Sequence, residues 1–282
     1  MMSRLNAILA LVLLCGGTPL LMAQDGANAA TTSGTVGSAG SLGELLSRAG
    51  TSVTRFLDHL GEVTCSEEVL QEKFNPKGKA EERLQSTYDY LVLQQGQGSE
   101  PTLFEARQAT KEAHAKKGVS LLVSNGFATE LLIFHPYYQP SYTFERLQDV
   151  HIQSKTYAQI HFAHVKGRPT PAALQLRGRD YPLSLAGTAL IDPTTGVVHR
   201  ISTDLELSME DLGIKRFHSD VEYAPVGFPQ QAKTYWLPAQ ATVEVNTLKQ
   251  HWKNVHRFTG YHLFSVSTTQ QVDVDKIKTK DQ

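Results

Sequence analysis

Cysteine is nearly absent from this sequence, with two among 282 residues. Cys15 lies in the apolar N-terminal stretch, so removal of that stretch leaves only Cys65. A single remaining cysteine excludes an internal disulfide. Cys65 ends the run Val63-Thr64-Cys65 at the start of an expected strand, a position that favours a small buried hydrophobic residue over a reactive thiol.

An excess of charge of one sign is also lacking. Lysine and arginine total 27 and aspartate and glutamate total 28, so the formal net charge is −1. This balance excludes a protein that holds nucleic acid through a broad basic field, and we expect no nucleic-acid partner. Hydrophobic residues make up 40% and charged residues 20%, as is typical of a folded globular chain.

The common catalytic signatures are missing. The sequence has no Gly-x-Ser-x-Gly, no His-Glu-x-x-His and no glycine-rich phosphate loop. Three of the eleven histidines lie close together, His251 and His256 in an expected loop and His262 just beyond it. A three-histidine metal site there is conceivable, but scattered surface histidines are the better interpretation. We therefore predict no catalytic residues, no metal site and no cofactor.

Two adjacent carboxylates are poorly placed to act as an acid/base pair. Glu67 and Glu68 follow each other in an expected strand, so their side chains project to opposite faces and cannot act on one substrate together. The inward carboxylate could pair with Arg83 across the sheet, but a solvated sheet edge is the commoner outcome for such a pair.

Residues 1–29 have the anatomy of a signal peptide. Arg4 supplies the positive start, and an apolar run extends from Leu5 to about Cys15. Cleavage is expected after Ala23 or Ala29. The run is too short and too interrupted by glycine and proline for a membrane-spanning helix, which needs about 20 apolar residues. We expect a periplasmic or secreted protein with no integral membrane segment after cleavage.

The rest of the chain divides by composition. Residues 30–40 are a flexible linker, residues 41–270 form one domain, and residues 271–282 are a disordered tail. Helical spacing of apolar residues predicts a helix over 41–60, which Ser41 and Glu44 cap, and a second helix over about 120–134. Gly50 and Thr51 weaken the middle of the first segment, so two short helices are the alternative there.

Most of the remaining sequence alternates as strands do. The clearest hairpin spans 183–207, where Asp192-Pro193-Thr194-Thr195-Gly196 forms the turn. Further strands are predicted at 214–223, 235–246 and 255–269. The predicted fold class is α+β: a predominantly antiparallel, curved β-sheet, or half-barrel, with one or two covering helices.

The strand motifs resemble those of a group of exported bacterial proteins of unknown function. Residues 185–201 are similar to that group's G-x-A-x-I-D-P-x-T-G-x-V-x-R hairpin. Its V-x-Y, W-L-P and Y-x-x-F-x-V strands recur in order at 221–223, 236–238 and 261–266, and residues 84–92 resemble its R-L-x-S-D-Y-x-L-V strand. Thr87 departs from the aspartate that is usual there. The resemblance covers roughly residues 50–268 and implies the outer-membrane lipoprotein-carrier fold, without a catalytic signature.

The expected function follows from a curved sheet under a helical lid. We predict a non-enzymatic exported envelope protein that binds a lipid, an acyl chain or a lipidated partner in the concavity. The candidate ligand-binding residues are Phe127, Leu131, Tyr137 and Tyr138. Two alternatives stay open: a structural or sensing module that binds another envelope protein, and a hydrolase with an unidentified His/Asp site.

Overall fold

A computed structural model describes most of the chain outside its two termini. The described residues are 9–11, 40–60, 63–95, 100–111, 114, 116, 119, 121–124, 126–176, 179–228 and 234–263. The predicted signal peptide (except residues 9–11), the linker up to residue 39 and the predicted tail lie outside these residues. No helix in the described part of the chain is long and apolar enough to cross a membrane.

Helix α1 spans Leu42–Leu60 without interruption. The predicted capping box is present: the Ser41 backbone N–H donates to Glu44 Oε2 at 3.0 Å, and the Glu44 backbone N–H donates to Ser41 Oγ at 3.3 Å. Leu45, Ala49 and Val53, spaced by four residues, form the buried stripe. The helix therefore begins where its cap predicts and packs along one face.

Fifteen strands account for most of the described residues. In chain order they are β1 (Leu9–Leu11), β2 (Val63–Phe74), β3 (Ala80–Gln95), β4 (Thr102–Lys111), β5 (Leu122–Ser124), β6 (Tyr142–Arg146), β7 (Val150–Ile152), β8 (Lys155–His164), β9 (Ala173–Leu176), β10 (Arg179–Pro182), β11 (Leu185–Ile191), β12 (Val198–Leu205), β13 (Ile214–Gly227), β14 (Thr234–Thr247) and β15 (His251–Leu263). Three short 3₁₀ helices cover Thr129–Phe134, Gln139–Ser141 and Glu210–Leu212.

One large antiparallel sheet dominates the fold. Its strand order is β4-β3-β2-β15-β14-β13-β12-β11-β8-β6, with β7 paired to β8, and its two end strands do not meet. The predicted α+β half-barrel is confirmed. A smaller sheet has the order β10-β9-β1-β5, in which β1, from within the predicted signal peptide, runs parallel to β5.

The predicted hairpin at 183–207 is confirmed as β11 and β12. Asp192 Oδ1 accepts the backbone N–H groups of Thr194 and Thr195 at 2.8 and 3.0 Å, and Gly196 adopts a φ of +74°. The turn packs against α1, since a Cβ at Gly196 would lie 2.4 Å from the Arg48 carbonyl carbon. Glycine is required there by its positive φ and by this close approach.

The predicted helix over 120–134 is wrong. Residues 122–124 form strand β5, a turn follows, and only Thr129–Phe134 is helical, as a 3₁₀ segment. Gly126 has a φ of +97°, which ends the strand in a conformation that a regular helix does not contain. All six side chains of the 3₁₀ segment are buried, so the apolar run reflects burial on every side and not one face of an α-helix.

Candidate functional site

An apolar groove opens between α1 and the sheet, with a volume of about 280 Å³. We call it the α1 groove. Helix α1, the 3₁₀ segment Thr129–Phe134 and the ends of the central strands contribute its walls. The lining residues are Ser52, Val53, Arg55, Phe56, Leu131, Val197, Val198, Thr234, Tyr235 and Trp236.

The walls of the α1 groove carry one charge. Arg55 is exposed on α1 and is the one ionisable lysine, arginine, aspartate or glutamate among the lining residues. Val53, Val198 and Tyr235 line the groove with aliphatic and aromatic side chains that are largely shielded from solvent. The groove therefore combines an apolar interior with a single cation that reaches solvent.

The four residues predicted from the sequence to bind a ligand occupy different surroundings. Leu131 lines the α1 groove. Tyr137 is half-buried, and its ring meets that of Tyr138 edge-on at 4.8 Å. Tyr138 and Phe127 are fully buried, and the Phe127 carbonyl accepts a hydrogen bond from the Tyr223 hydroxyl at 2.6 Å. The structure thus brings one of the four to the groove, and a role for the other three in binding stays a prediction.

The concave face beneath the 3₁₀ segment is filled by side chains. Leu132, Ile133 and Phe134 are buried, and the Phe134 ring packs edge-on against Phe162 at 5.9 Å. An acyl chain cannot enter this part of the concavity without displacing core side chains, which are close-packed. Beneath the 3₁₀ segment the concavity therefore holds core side chains, and the α1 groove lies beside them.

A buried polar network lies on the same sheet face, across β2, β4 and β15. Glu67 is 0% exposed and forms a two-point ion pair with Arg107, with Nη2 to Oε1 at 2.7 Å and Nε to Oε2. Glu67 Oε1 also accepts from His256 Nδ1 at 2.7 Å. Burial alone would raise the pKa of Glu67, but the Arg107 charge and the hydrogen bonds from both partners outweigh it and lower the pKa.

Strand β5 closes over this network. Ser124 Oγ lies 2.8 Å from His256 Nε2, and Asn254 Nδ2 donates to the same oxygen at 2.8 Å. Asn254 and Gln71 also donate to the Leu122 carbonyl at 2.9 and 2.7 Å. These side chains supply hydrogen-bond partners for the backbone and side chain of the short strand where it crosses the face of the large sheet.

Part of this network follows from strand alternation. Glu67 points inward and Glu68 is exposed, as their adjacency predicts. Neither sequence-based alternative for the inward carboxylate is correct: Arg83 Nε pairs with Glu72 Oε1 at 3.5 Å, and Glu67 is buried and not at a solvated edge. Strand register places Arg107 on the inward face beside Glu67 instead, through the intervening strand β3.

The expected loop at His251 and His256 is also wrong. Both histidines lie in β15, where Trp252, Asn254, His256 and Phe258 alternate inward. His251 therefore projects from the opposite face to His256, and its ring stacks on Phe74 at 5.0 Å. Among the described residues, no cluster of three histidine, cysteine or acidic side chains could hold a metal ion. In the sequence, the large apolar residues Trp252 and Phe258 lie at even spacing from His256, and this period of two was the signal that His256 points inward.

No protein-family model and no curated protein matches the sequence. Among solved structures, the chain is similar to a domain from Vibrio parahaemolyticus named for outer-membrane lipoprotein sorting, with 8% identity, a TM-score of 0.42, and coverage of 82% of this chain and 94% of that one. It is also similar to a DUF1329 family protein from Desulfovibrio piger, with 9% identity, a TM-score of 0.42, and coverage of 80% and 95%. Both likenesses concern the fold alone.

Proposed function

We propose that this protein is an exported binding protein that holds one acyl chain with an anionic head group in the α1 groove. In this proposal residues 41–270 act as one unit in the periplasm or outside the cell, after removal of the signal peptide. The observation that carries the proposal is the half-open apolar groove between a well-capped helix and the sheet.

The size of the α1 groove supports a single chain. Its volume of about 280 Å³ is close to the lower end of the range of small-molecule sites, about 300–1,000 Å³. Each buried methylene contributes about 0.8 kcal/mol, so ten would contribute about 8 kcal/mol before the costs of association. The costs of association, at least about 4 kcal/mol, are subtracted from this gain, so the net affinity is weaker than the Kd of about 1 μM that 8 kcal/mol alone would give. Weak, reversible binding of this kind suits a carrier that must also release its ligand.

The charge of Arg55 supports an anionic head group. The guanidinium is exposed beside Ser52 and Phe56 on α1, so a carboxylate or phosphate can pair with it while the chain lies along Val53 and Val198. An exposed ion pair of this kind contributes about 0–1 kcal/mol. Apolar burial therefore sets most of the affinity, and Arg55 sets the direction in which the chain enters.

The first test is a titration of the purified mature protein with dodecanoate, followed by tryptophan fluorescence. Trp236 lines the α1 groove and Trp252 lies in the core, so a saturable change is expected from Trp236 and is absent after Trp236→Phe. A linear, non-saturable response, or the same saturable response in Trp236→Phe, would overturn the proposal.

Two pairs of variants locate the ligand. Val197→Phe fills the groove from a half-buried position and is expected to weaken dodecanoate binding at least tenfold. Val150→Phe makes the same change on β7, away from the groove, and should leave binding unchanged. Arg55→Gln should weaken binding of dodecanoate about two- to fivefold and leave dodecanol unaffected, whereas Arg257→Gln, at an exposed position of β15, should change neither.

A further inference from the structure

We infer that Ser124, His256 and Glu67 form a nucleophilic site that cleaves esters of short carboxylic acids. The inference does not depend on acyl-chain binding, because none of these residues lines the α1 groove. Three elements far apart in the sequence bring the residues together: β5, β15 and β2.

The hydrogen bonds assign the protons along this chain of groups. Glu67 is ionised, held so by Arg107, and accepts from His256 Nδ1 at 2.7 Å. His256 Nδ1 therefore carries the proton, and Nε2 is left as the acceptor for the Ser124 hydroxyl at 2.8 Å. Asn254 Nδ2 donates to the same Ser124 oxygen, so the hydroxyl faces a base that can take its proton and a donor that stabilises the oxygen as negative charge develops on it.

This order of groups matches the requirement for an activated serine. The nucleophile needs a base within about 2.6–3.2 Å, and the base needs a third group that fixes its tautomer. Burial lowers the pKa of His256, and Arg107 lowers it further, against the opposing effect of Glu67. His256 is therefore neutral, and able to accept a proton, at neutral pH.

A cleft gives an ester access to the serine. It has a volume of about 260 Å³, and Ser124, Asn254, His256 and Arg107 all line it, although Ser124 itself is only 2% exposed. The rest of the wall is mixed: Val69, Leu84, Leu121 and Val123 are apolar, and Gln71, Tyr88 and His114 carry polar groups. The small volume and the apolar part of the wall favour a short acyl group, and the Arg107 charge favours an oxygen on which negative charge develops.

The reaction balances without any cofactor. Ser124 Oγ attacks the ester carbonyl carbon while its proton moves to His256 Nε2, and the C–O bond to the alcohol breaks as the alcohol takes that proton. Water then attacks the acyl-serine carbonyl, its proton moves to His256 Nε2, and the C–O bond to Ser124 breaks as the serine oxygen takes the proton. One ester and one water give one acid and one alcohol.

Arg107 sets a limit on the rate. It pairs with both oxygens of Glu67, and so offsets the negative charge that would otherwise stabilise the protonated His256. His256 takes a proton in both acylation and deacylation, so we expect both steps to be slow, and the first measurement should detect the covalent bond to Ser124 and not only the product.

The decisive experiment treats the folded mature protein with a fluorophosphonate probe and maps the label by mass spectrometry. A label on Ser124 is expected, together with hydrolysis of p-nitrophenyl butyrate that Ser124→Ala abolishes. His256→Gln should slow hydrolysis about 10²-fold or more. Ser219→Ala, at an equally buried serine of β13, should leave both labelling and hydrolysis unchanged. No label, or a label on another residue, would overturn the inference even if Ser124→Ala does not fold.

Glu67 acts through His256 and is a positioning residue, so its test is a pH profile. The charged groups that face His256 are Glu67 on β2 and Arg107 on β4. Labelling of the wild-type chain should be lost as pH falls through the lowered pKa of His256, with a midpoint below 6.5. Glu67→Gln should slow labelling and move the pH midpoint lower, because the negative charge that raises the pKa of His256 is removed. An unchanged midpoint in a folded Glu67→Gln variant would refute the positioning role of Glu67. Val197→Phe, which blocks the α1 groove, should not affect labelling, so the two proposals fail separately.

Discussion

The buried carboxyl group of Glu130 should make the stability of the fold depend on pH. Glu130 lies in the buried 3₁₀ segment and is 3% exposed, and its Oε2 has no hydrogen-bond partner within the described part of the chain. Burial is the largest effect on Glu130 and raises its pKa to about 8; Ser219 opposes it, and the carboxylates of Asp220 and Glu105 raise the pKa to a lesser extent. The folded protein therefore holds this side chain protonated at neutral pH.

The raised pKa makes stability fall as pH rises. Between the unfolded pKa of about 4.5 and the folded pKa of about 8, the native state binds one more proton than the unfolded state, so the free energy of unfolding drops by about 1.4 kcal/mol per pH unit. From pH 5 to pH 7 the loss from this one group is about 2–3 kcal/mol. Below pH 4.5 both states are protonated and the contribution is constant.

Glu130→Gln removes the titration and keeps the shape of the protonated side chain. We expect the variant to be more stable than the wild type by about 3 kcal/mol at pH 7 and by less than about 1 kcal/mol at pH 5. Urea unfolding at pH 5, 6 and 7 measures the difference, with Glu145→Gln at an exposed position of β6 as the control. Wild-type and Glu130→Gln stabilities that stay parallel across this pH range would refute the reasoning.

Two further predictions concern α1 and its contact with the β11–β12 turn. Gly196→Ala should destabilise the fold by more than about 2 kcal/mol, because the residue has a φ of +74° and its Cβ would lie 2.4 Å from the Arg48 backbone. The control Gly213→Ala has a φ of +79° but open space around it, so it should cost only about 1–2 kcal/mol. Equal losses of the two variants in urea unfolding would contradict the packing argument. Ser41→Ala removes the helix cap and should lower the free energy of unfolding by about 1 kcal/mol in the same assay. Ser47→Ala, at an exposed position in mid-helix, should be neutral or slightly stabilising. A neutral Ser41→Ala would show that the cap contributes nothing.

Elements with a local signal could be predicted from the sequence. The capping box at Ser41 and Glu44 marks the start of α1, and the run from Asp192 to Gly196 defines a turn by its own side-chain and φ preferences. Period-2 alternation then gives the strands and their inward faces. These features depend on residues within about five positions of each other, so one sequence contains enough information to place them.

The region 120–134 and the polar network could not be predicted in the same way. Residues 126–134 are buried on several sides, so their apolar run contains no periodicity that separates a helix from a 3₁₀ segment under a sheet. Ser124 and Glu67 reach His256 across 132 and 189 sequence positions. Alternation indicates that Glu67 and His256 point inward, but only the strand order β3-β2-β15 decides that they meet.

The charge distribution on the concave face limits where an acyl chain can lie. On the side of β2, β4 and β15, the ion pair of Glu67 and Arg107 is buried and fully paired with His256. An acyl chain inserted there would separate these groups, and a buried charge without its partner costs about 3–5 kcal/mol. That cost cancels the burial of about four to six methylenes. In the proposed function the acyl chain therefore lies in the α1 groove, where Val53, Val198 and Tyr235 offer no charge to unpair, while the cleft at Ser124 takes only an acyl group short enough to leave the ion pair intact.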